Sequence, residues 1–299
     1  MPELPDINLY LHALRPRVVG KTLKRSRIAS PFVLRSVDPT IFSLNEKRVN
    51  NLRRLGKRIV FEFDDELFLV VHLMISGRFQ WREPGAKMIG KIGLAAFDFE
   101  NGTLLLTEAA SKKRASIHVV RGERLLAEHD PGGLEVLDAS LVQFKAVLKS
   151  ENRTLKRALT SPNLFSGIGN AYSDEILLRA KLSPMKLSAS LNDADALTLF
   201  NAIRSVLTEW TEQLIAQNGD DFPTRVTAFR PEMGAHGKFG QPCPACGTPI
   251  QRIVYAENEA NYCPSCQTGG KLLADRALSK LLRDDWPRTL EELERRRQR

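Results

Sequence analysis

All four cysteines of this 299-residue chain fall between positions 243 and 266, as Cys243-Pro-Ala-Cys246 and Cys263-Pro-Ser-Cys266, with sixteen residues between the pairs. That is the spacing of a two-knuckle zinc ribbon. Four thiolates close a tetrahedral shell about 2.3 Å from the ion and leave no position open for water, so one structural Zn2+ is the expected cofactor. Gly247 lets the first knuckle turn, and Ile250–Tyr255 with Asn261-Tyr262 supply the two strands between knuckles. Metal binding in such small units is worth roughly 10–16 kcal/mol, enough to fold a stretch that has no core of its own. A redox dithiol pair is the other chemistry these motifs allow. A ribbon alone assigns no activity.

No cysteine is left over for a disulfide scaffold, which fits a reducing cytosol. The start MPELPDINLY lacks the basic stretch and apolar core of a signal peptide, and no apolar run is long enough for a membrane span. The formal net charge of +9 favours a polyanionic partner, because each Lys or Arg set against a phosphate releases condensed counterions. A merely solvated basic surface would have the same charge.

Apolar residues Ile7, Tyr10, Leu11 and Leu14 recur at helical spacing, and Pro16 is expected to end that helix. Strand-like runs follow: Arg58–Phe63 and Leu67–Leu73 around the acidic turn Asp64-Asp65-Glu66, then Leu94–Phe99 and Thr103–Thr107 around Asn101-Gly102, then Ser116–Val120. Asn101-Gly102 reads as a hairpin turn with positive φ at both positions. Short strands spaced by turns predict a sandwich or barrel. After the linker His129-Asp130-Pro131-Gly132-Gly133 the chain turns helical, over Leu141–Leu148, Thr154–Leu159 and Ala171–Ala180. A longer helix carries Phe200, Ile203, Leu207, Trp210 and Leu214 and is closed by Gly219. The tail puts Leu273, Ala277, Leu278, Leu281 and Leu282 on one helical face, and Thr289-x-x-Glu292 reads as a capping box. The Arg/Glu-rich end, 291–299, is either a solvated helix packed on the body or a binding appendage.

The chain start admits two readings. Proline in the first turn with Glu3 helping the dipole is ordinary helix chemistry. Alternatively, methionine before proline is normally removed, which makes Pro2 a free secondary amine. An α-amine titrates near 7.7–8.0 against about 10.4 for lysine, so far more of it is unprotonated at neutral pH. Its attack on a sugar C1′ gives a permanently cationic iminium, an electron sink for β-elimination. Glu3 could protonate the ring oxygen as the sugar opens.

Three motifs in one order, Pro2-Glu3-Leu4-Pro5-Asp6, Phe165-Ser-Gly-Ile-Gly-Asn170-Ala-Tyr172-Ser-Asp-Glu175 and the four-cysteine ribbon, resemble the formamidopyrimidine-DNA glycosylase/endonuclease VIII family. The resemblance spans about residues 2 to 268. It implies an α+β multidomain fold: an N-terminal β-sandwich over 2–130, a helix–two-turn–helix domain over 134–236, the zinc ribbon over 237–270 and a helical extension over 271–299. It also implies base excision repair with abasic-site lyase activity, with Pro2 as nucleophile and Glu3 as acid. Lys57 matches a lysine that contacts phosphate near the lesion, unless it is one more solvated base. Asn170 and Lys156 match phosphate-contacting positions, although Gly-Ile-Gly-Asn alone is also a simple helix–turn junction. Glu175 either orients this turn or lies on a helix surface. His236-Gly237-Lys238 resembles the family's Tyr-Gly-Arg/Lys segment, making Lys238 a backbone-contact candidate.

The departures bear on substrate. Ile75, in His72-Leu-Met-Ile75-Ser-Gly77, stands where the family has an intercalating methionine; it is either a wedge or a core strand residue. The family's Asp-Pro-Arg-Arg-Phe-Gly segment is replaced by Thr107–Arg114, without its aromatic and with the charge moved to Lys112, Lys113 and Arg114. Asn258 replaces a ribbon arginine, and Asp6 a glutamate of longer reach. Gap filling is therefore weak and extrusion from intact duplex costlier, so the expected partner of this monomer is damaged DNA in single-stranded or opened form. A DNA-binding protein of the same fold with altered chemistry is the alternative.

Overall fold

The computed structural model describes residues 1–255, 258–274 and 287–297. Contacts divide the chain into two compact units, Met1–Pro131 with Glu209–Thr227, and Gly132–Thr208 with Ala228–Arg299.

The first unit opens with α1 (Leu4–Val18), whose buried face carries Leu4, Ile7, Tyr10, Leu11 and Leu14. Pro16 does not end this helix, which continues two residues beyond it. A proline removes one N–H, and here the loss falls in the last turn, where Arg17 Nη1 donates to the Ala13 carbonyl at 2.7 Å. Eight antiparallel strands follow: β1 (Thr22–Ile28), β2 (Lys47–Leu55), β3 (Arg58–Phe63), β4 (Leu67–His72), β5 (Gly77–Arg82), β6 (Gly93–Phe99), β7 (Gly102–Glu108) and β8 (Ser116–Arg121). They run in the order β5-β7-β6-β1-β2-β3-β4-β8. Only two residue pairs, Thr22↔Arg48 and Leu23↔Lys47, join β1 to β2, so the sheet folds there into two leaves of four strands. Their inner faces meet in the core: Phe61 of β3 lies edge-on to Phe79 of β5, centroids 6.3 Å apart, and Tyr10 is edge-on to Phe79 at 5.7 Å.

The hairpins correct the expected turn chemistry. Phe99 pairs with Gly102, so the β6–β7 turn is Glu100-Asn101 and Gly102 is already in the strand. Positive φ is not what requires this glycine. A Cβ there would stand 2.3 Å from the Trp81 ring, so Gly102 admits the indole that stacks on Phe99. The turn with two left-handed residues is β3–β4, at Asp65 (φ 58°) and Glu66 (φ 53°). Leu67 follows it and turns back to the Asp64 carbonyl at 3.3 Å.

The second unit contains α3 (Leu141–Ser150), α4 (Leu155–Thr160), α5 (Asn170–Arg179) and the first turns of α6 (Asp193–Asn218); the short α2 (Glu123–Ala127) belongs to the first unit. Ser140 and Gln143 cap α3 reciprocally, Ser140 N–H donating to Gln143 Oε1 at 2.9 Å. Gly219, at φ 56°, closes α6 as expected. The ribbon pairs β9 (Gln251–Tyr255) with β10 (Asn258–Tyr262), followed by α7 (Pro264–Thr268). Beyond it Leu273 N–H donates to the Tyr262 hydroxyl at 2.8 Å, and Lys271 bridges to Thr289. The expected apolar face at Ala277, Leu278, Leu281 and Leu282 lies outside the described residues. The last helix is Leu290–Arg297. Thr289 Oγ1 accepts from Glu292 N–H at 3.3 Å, while the Glu292 carboxylate reaches back to Arg288 N–H rather than to that of Thr289. Among the described residues no helix is long and apolar enough to cross a membrane.

Candidate active site and nucleic-acid-binding residues

In the first unit the chain start is built into the fold. Pro2 is buried, Glu3 is 2% exposed, and Asp6 Oδ2 accepts the Glu3 N–H at 3.0 Å. The shorter acid at position 6 therefore still closes the first turn of α1 and fixes the backbone from which Glu3 projects. The terminal amine is carried by Met1 and held below its ordinary value, mainly by burial. Glu3 and Asp6 oppose that shift; Arg78 and Lys57 add to it. Lys57, between β2 and β3, is likewise held below the ordinary lysine value by burial, with Glu3 opposing. The chain start with Glu3 and the sequence-distant Lys57 thus share one electrostatic neighbourhood.

Arg78 belongs to that neighbourhood and was not singled out by its residue pattern. Its guanidinium donates to the carbonyls of Val226 (2.6 Å), Gly77 (2.7 Å) and Ile75 (3.1 Å). The only signal available in the sequence is its place directly after Ser76-Gly77. The turn that it braces carries Met74 at φ 53° and Ile75 half-exposed at 50%, so Ile75 is not a core strand residue. Gly77 N–H closes this turn on the Leu73 carbonyl at 2.8 Å. The replaced segment after β7 closes on Glu108, which is 1% exposed: its carboxylate accepts from Arg114 N–H at 2.9 Å and Ala115 N–H at 3.0 Å. Lys113 donates to the Glu108 carbonyl, leaving Lys112 and Arg114 as the exposed bases of the loop.

Next to Lys57, the β2–β3–β4–β8 leaf pairs Arg58 with His72 and sets His118 opposite Val70, two residues along β4 from His72 and so on the same face, with the His129 ring 4.6 Å from that of His118. Burial first, then the neighbouring Arg58, pushes His72 down to about 4; burial, His129 and Arg58 do the same to His118.

In the second unit a buried polar centre lies at α5. Asp174 is fully buried, and its carboxylate accepts from Lys156 Nζ at 2.5 Å, Asn261 N–H at 3.2 Å and Asn261 Nδ2 at 3.1 Å, while His236 Nδ1 lies 2.8 Å away. Lys156 Nζ also donates to the Asn170 carbonyl at 2.6 Å. Lys156 is thus 2% exposed and committed internally: it holds Asn170 from beneath instead of offering its charge to solvent. Asn170 is half-buried at the first turn of α5, where the helix dipole favours an anion. Glu175 is not a surface residue. Its carboxylate accepts the consecutive N–H groups of Gly234, Ala235 and His236, each at 2.9 Å. It shapes the segment that presents Lys238, whose Nζ donates to the Pro231 carbonyl at 2.8 Å. That long-range role had no signal in local spacing.

The four cysteines converge as their spacing requires: their sulfurs all lie within 4.8 Å of one another, with Cys246 Sγ 3.4 Å from both Cys263 and Cys266. Tetrahedral thiolates at about 2.3 Å from zinc sit about 3.8 Å apart, so the cluster fits one ion with no ligand position open. Burial pushes the Cys266 thiol up to about 11 and Cys263 up as well, protonated states that a divalent cation at the centre would displace. The site is structural zinc, and Asn261 connects its second strand directly to Asp174.

Family profiles match in three successive blocks: the formamidopyrimidine-DNA glycosylase N-terminal domain at residues 1–114, the helix–two-turn–helix domain of the same proteins at 133–217, and a zinc finger found in these glycosylases and in IleRS at 240–269. The formamidopyrimidine-DNA glycosylase of Thermus thermophilus is 33% identical over 279 residues, covering 90% of this chain and all of that protein. That of Heliobacterium modesticaldum is 30% identical over 277 residues, covering 89% and 100%. Among solved structures, MutM in complex with DNA containing carbocyclic 8-oxo-G superposes with a TM-score of 0.78 at 24% identity, covering 89% of this chain and 100% of the other. The Lactococcus lactis enzyme with DNA containing an oxidised pyrimidine gives 0.78 at 25%, with the same coverage. This divergent sequence, with its β-sandwich, helical domain and zinc ribbon, belongs to the formamidopyrimidine-DNA glycosylase family.

Proposed function

We propose that this protein excises damaged bases from DNA and then incises the strand by β-elimination through a Schiff base on Pro2. The observation that carries this reading is the shared environment of the chain start, Glu3 and Lys57. Once Met1 is removed, the Pro2 imino group stands beside a fixed carboxylic acid and two cations in a partly dehydrated site. Burial and the two cations favour the unprotonated form of such an amine, the direction in which they shift the amine one residue earlier.

The chemistry then follows. The Pro2 lone pair attacks C1′ of an extruded nucleotide and the base departs. Glu3 donates a proton to the ring oxygen as the C1′–O bond opens, leaving an iminium between Pro2 and C1′. Loss of a C2′ proton sends its electron pair toward the iminium, and the C3′–oxygen bond breaks with release of the phosphate. Water then frees the sugar fragment from Pro2. A second elimination at C5′ follows by the same logic. Lys57 holds a strand phosphate near the reacting sugar. Asn170, at the start of α5, and Lys238 hold others, with Lys156 placing Asn170. Lys112 and Arg114 add charge from the loop after β7.

Because Ile75 is the one half-exposed apolar side chain of its turn and the loop after β7 has no aromatic, the gap left by an extruded base is filled weakly. The reading therefore includes a preference for single-stranded, mismatched or opened DNA, acted on by a monomer.

Borohydride trapping on an abasic-site oligonucleotide tests the core of this reading. A covalent adduct that disappears in Pro2→Gly and in N-terminally tagged protein is expected. Tight, salt-sensitive binding without any adduct would instead identify a DNA-binding protein with altered chemistry. Excision from matched single-stranded and duplex lesion oligonucleotides tests the strand preference. Faster turnover of a paired 8-oxoguanine site would end it.

A further inference from the structure

Two aromatic side chains in the second unit are exposed yet held in fixed attitudes. Phe229 is 65% exposed, but its ring stacks on His236 at 26° with centroids 5.4 Å apart. It also rests over Gly237, where a Cβ would come within 3.0 Å of Phe229 Cδ1. The ring beneath is itself anchored. His236 is 4% exposed, with Nδ1 2.8 Å from Asp174 and its N–H 2.9 Å from Glu175. Phe239, 41% exposed, lies just past Lys238 and carries the Arg252 guanidinium 4.6 Å over its ring. Isolated apolar side chains on a surface need no explanation. A half-bare aromatic ring over Gly237, followed along the chain by Lys238 and by Phe239 with its Arg252, has the make-up of a surface that takes single-stranded nucleic acid: cations for the backbone, aromatic faces for the bases.

We propose that Phe229, backed by His236, is a stacking platform for an unpaired nucleobase, with Phe239 and Arg252 continuing the same surface. The proposal rests on the DNA reading above and deepens it by assigning residues to the single-strand preference. A base laid on Phe229 requires no identity from the base, only an open π-face, so the contribution is independent of the lesion. In paired DNA that face is covered by neighbouring base pairs, so the platform discriminates against intact duplex without touching the reacting sugar.

The test uses fluorescence anisotropy with the full-length zinc-loaded protein and three undamaged probes of equal length: a dT strand, the matching duplex and a strand of tetrahydrofuran residues that has the same backbone without bases. Phe229→Ala is expected to weaken dT-strand binding on the order of tenfold, in keeping with the usual size of a base–aromatic stack. Its affinities for the duplex and for the base-free strand are expected to stay within twofold of wild type. Phe229→Trp should restore dT-strand binding, with its fluorescence quenched on addition of the strand, and this holds the proposal to account if the alanine variant folds poorly. Equal losses on all three probes, or no loss on the dT strand, overturn it. Borohydride adduct yield on a single-stranded abasic site, measured alongside, separates the two claims. Full trapping with unchanged dT affinity in Phe229→Ala removes the platform and leaves the lyase. No trapping in wild type removes the lyase whatever Phe229 does.

Discussion

Asp174 and Lys156 form an ion pair at 2.5 Å with 0% and 3% of their side chains exposed. Removing one partner from such a pair leaves a charge stranded in a low-dielectric site, whereas the pair itself is only weakly stabilising relative to apolar packing. Asp174→Asn is therefore expected to lower unfolding stability by roughly 3–5 kcal/mol, measured by urea titration. Lys156→Met on its own should weaken DNA binding by releasing Asn170, even at temperatures where the protein remains folded. Unchanged urea midpoints in Asp174→Asn would show that Lys156 finds another partner.

Zinc removal should reach beyond the ribbon. Asn261 of β10 donates to the Asp174 carboxylate, so unfolding the ribbon takes two hydrogen bonds from the centre that positions Lys156 and Asn170. Chelation is expected to release one zinc per chain, abolish the melting transition of the second unit and cost at least tenfold in DNA affinity. Replacement zinc should restore all three. Metal loss with full DNA affinity would show that the α5 turn stands without the ribbon.

Glu3 and Pro2 should separate in their effects. On the proposed mechanism Glu3→Gln removes the proton donor, and base excision is expected to fall about 10²–10⁴-fold, the usual weight of a general acid. Trapping on a sugar that has already lost its base needs less help and should fall far less. Equal losses on both substrates would move Glu3 out of the ring-opening step.

The histidines beside Lys57 give the fold an acid limit. His72 and His118 are held near 4 in the folded chain, against about 6.5 when unfolded. Between those values the unfolded chain binds more protons, so stability is fully present above pH 6.5 and is lost as pH falls toward 4. His72 alone contributes on the order of 2–3 kcal/mol to that slope; His118 is more open and contributes less. Urea midpoints compared at pH 7.5 and 4.5 should show the loss, and His72→Gln should reduce it. An unchanged slope in that variant would contradict the assignment.

What the sequence made legible was what local rules govern. The ribbon follows from four cysteines, the leaf strands from alternation and turns, and the chain start from one motif. Arg78 and Glu175 were not legible, because their partners lie far along the chain: Val226 for one, Gly234 to His236 for the other. Lys156 reads in sequence as a phosphate contact, and only the fold shows its ammonium held by Asp174. Gly102 misled in a simpler way. A glycine after asparagine signals positive φ, yet here it is present because the Trp81 ring needs the space.

The central claim is that the nucleophile is the imino nitrogen of Pro2, freed of Met1. Borohydride-trapped protein, digested and mapped by mass spectrometry, tests it most directly. The account predicts one sugar-bearing peptide that starts at Pro2, with Met1 absent. An adduct on Lys57 or another lysine, or a trapped chain that still carries Met1, would contradict it.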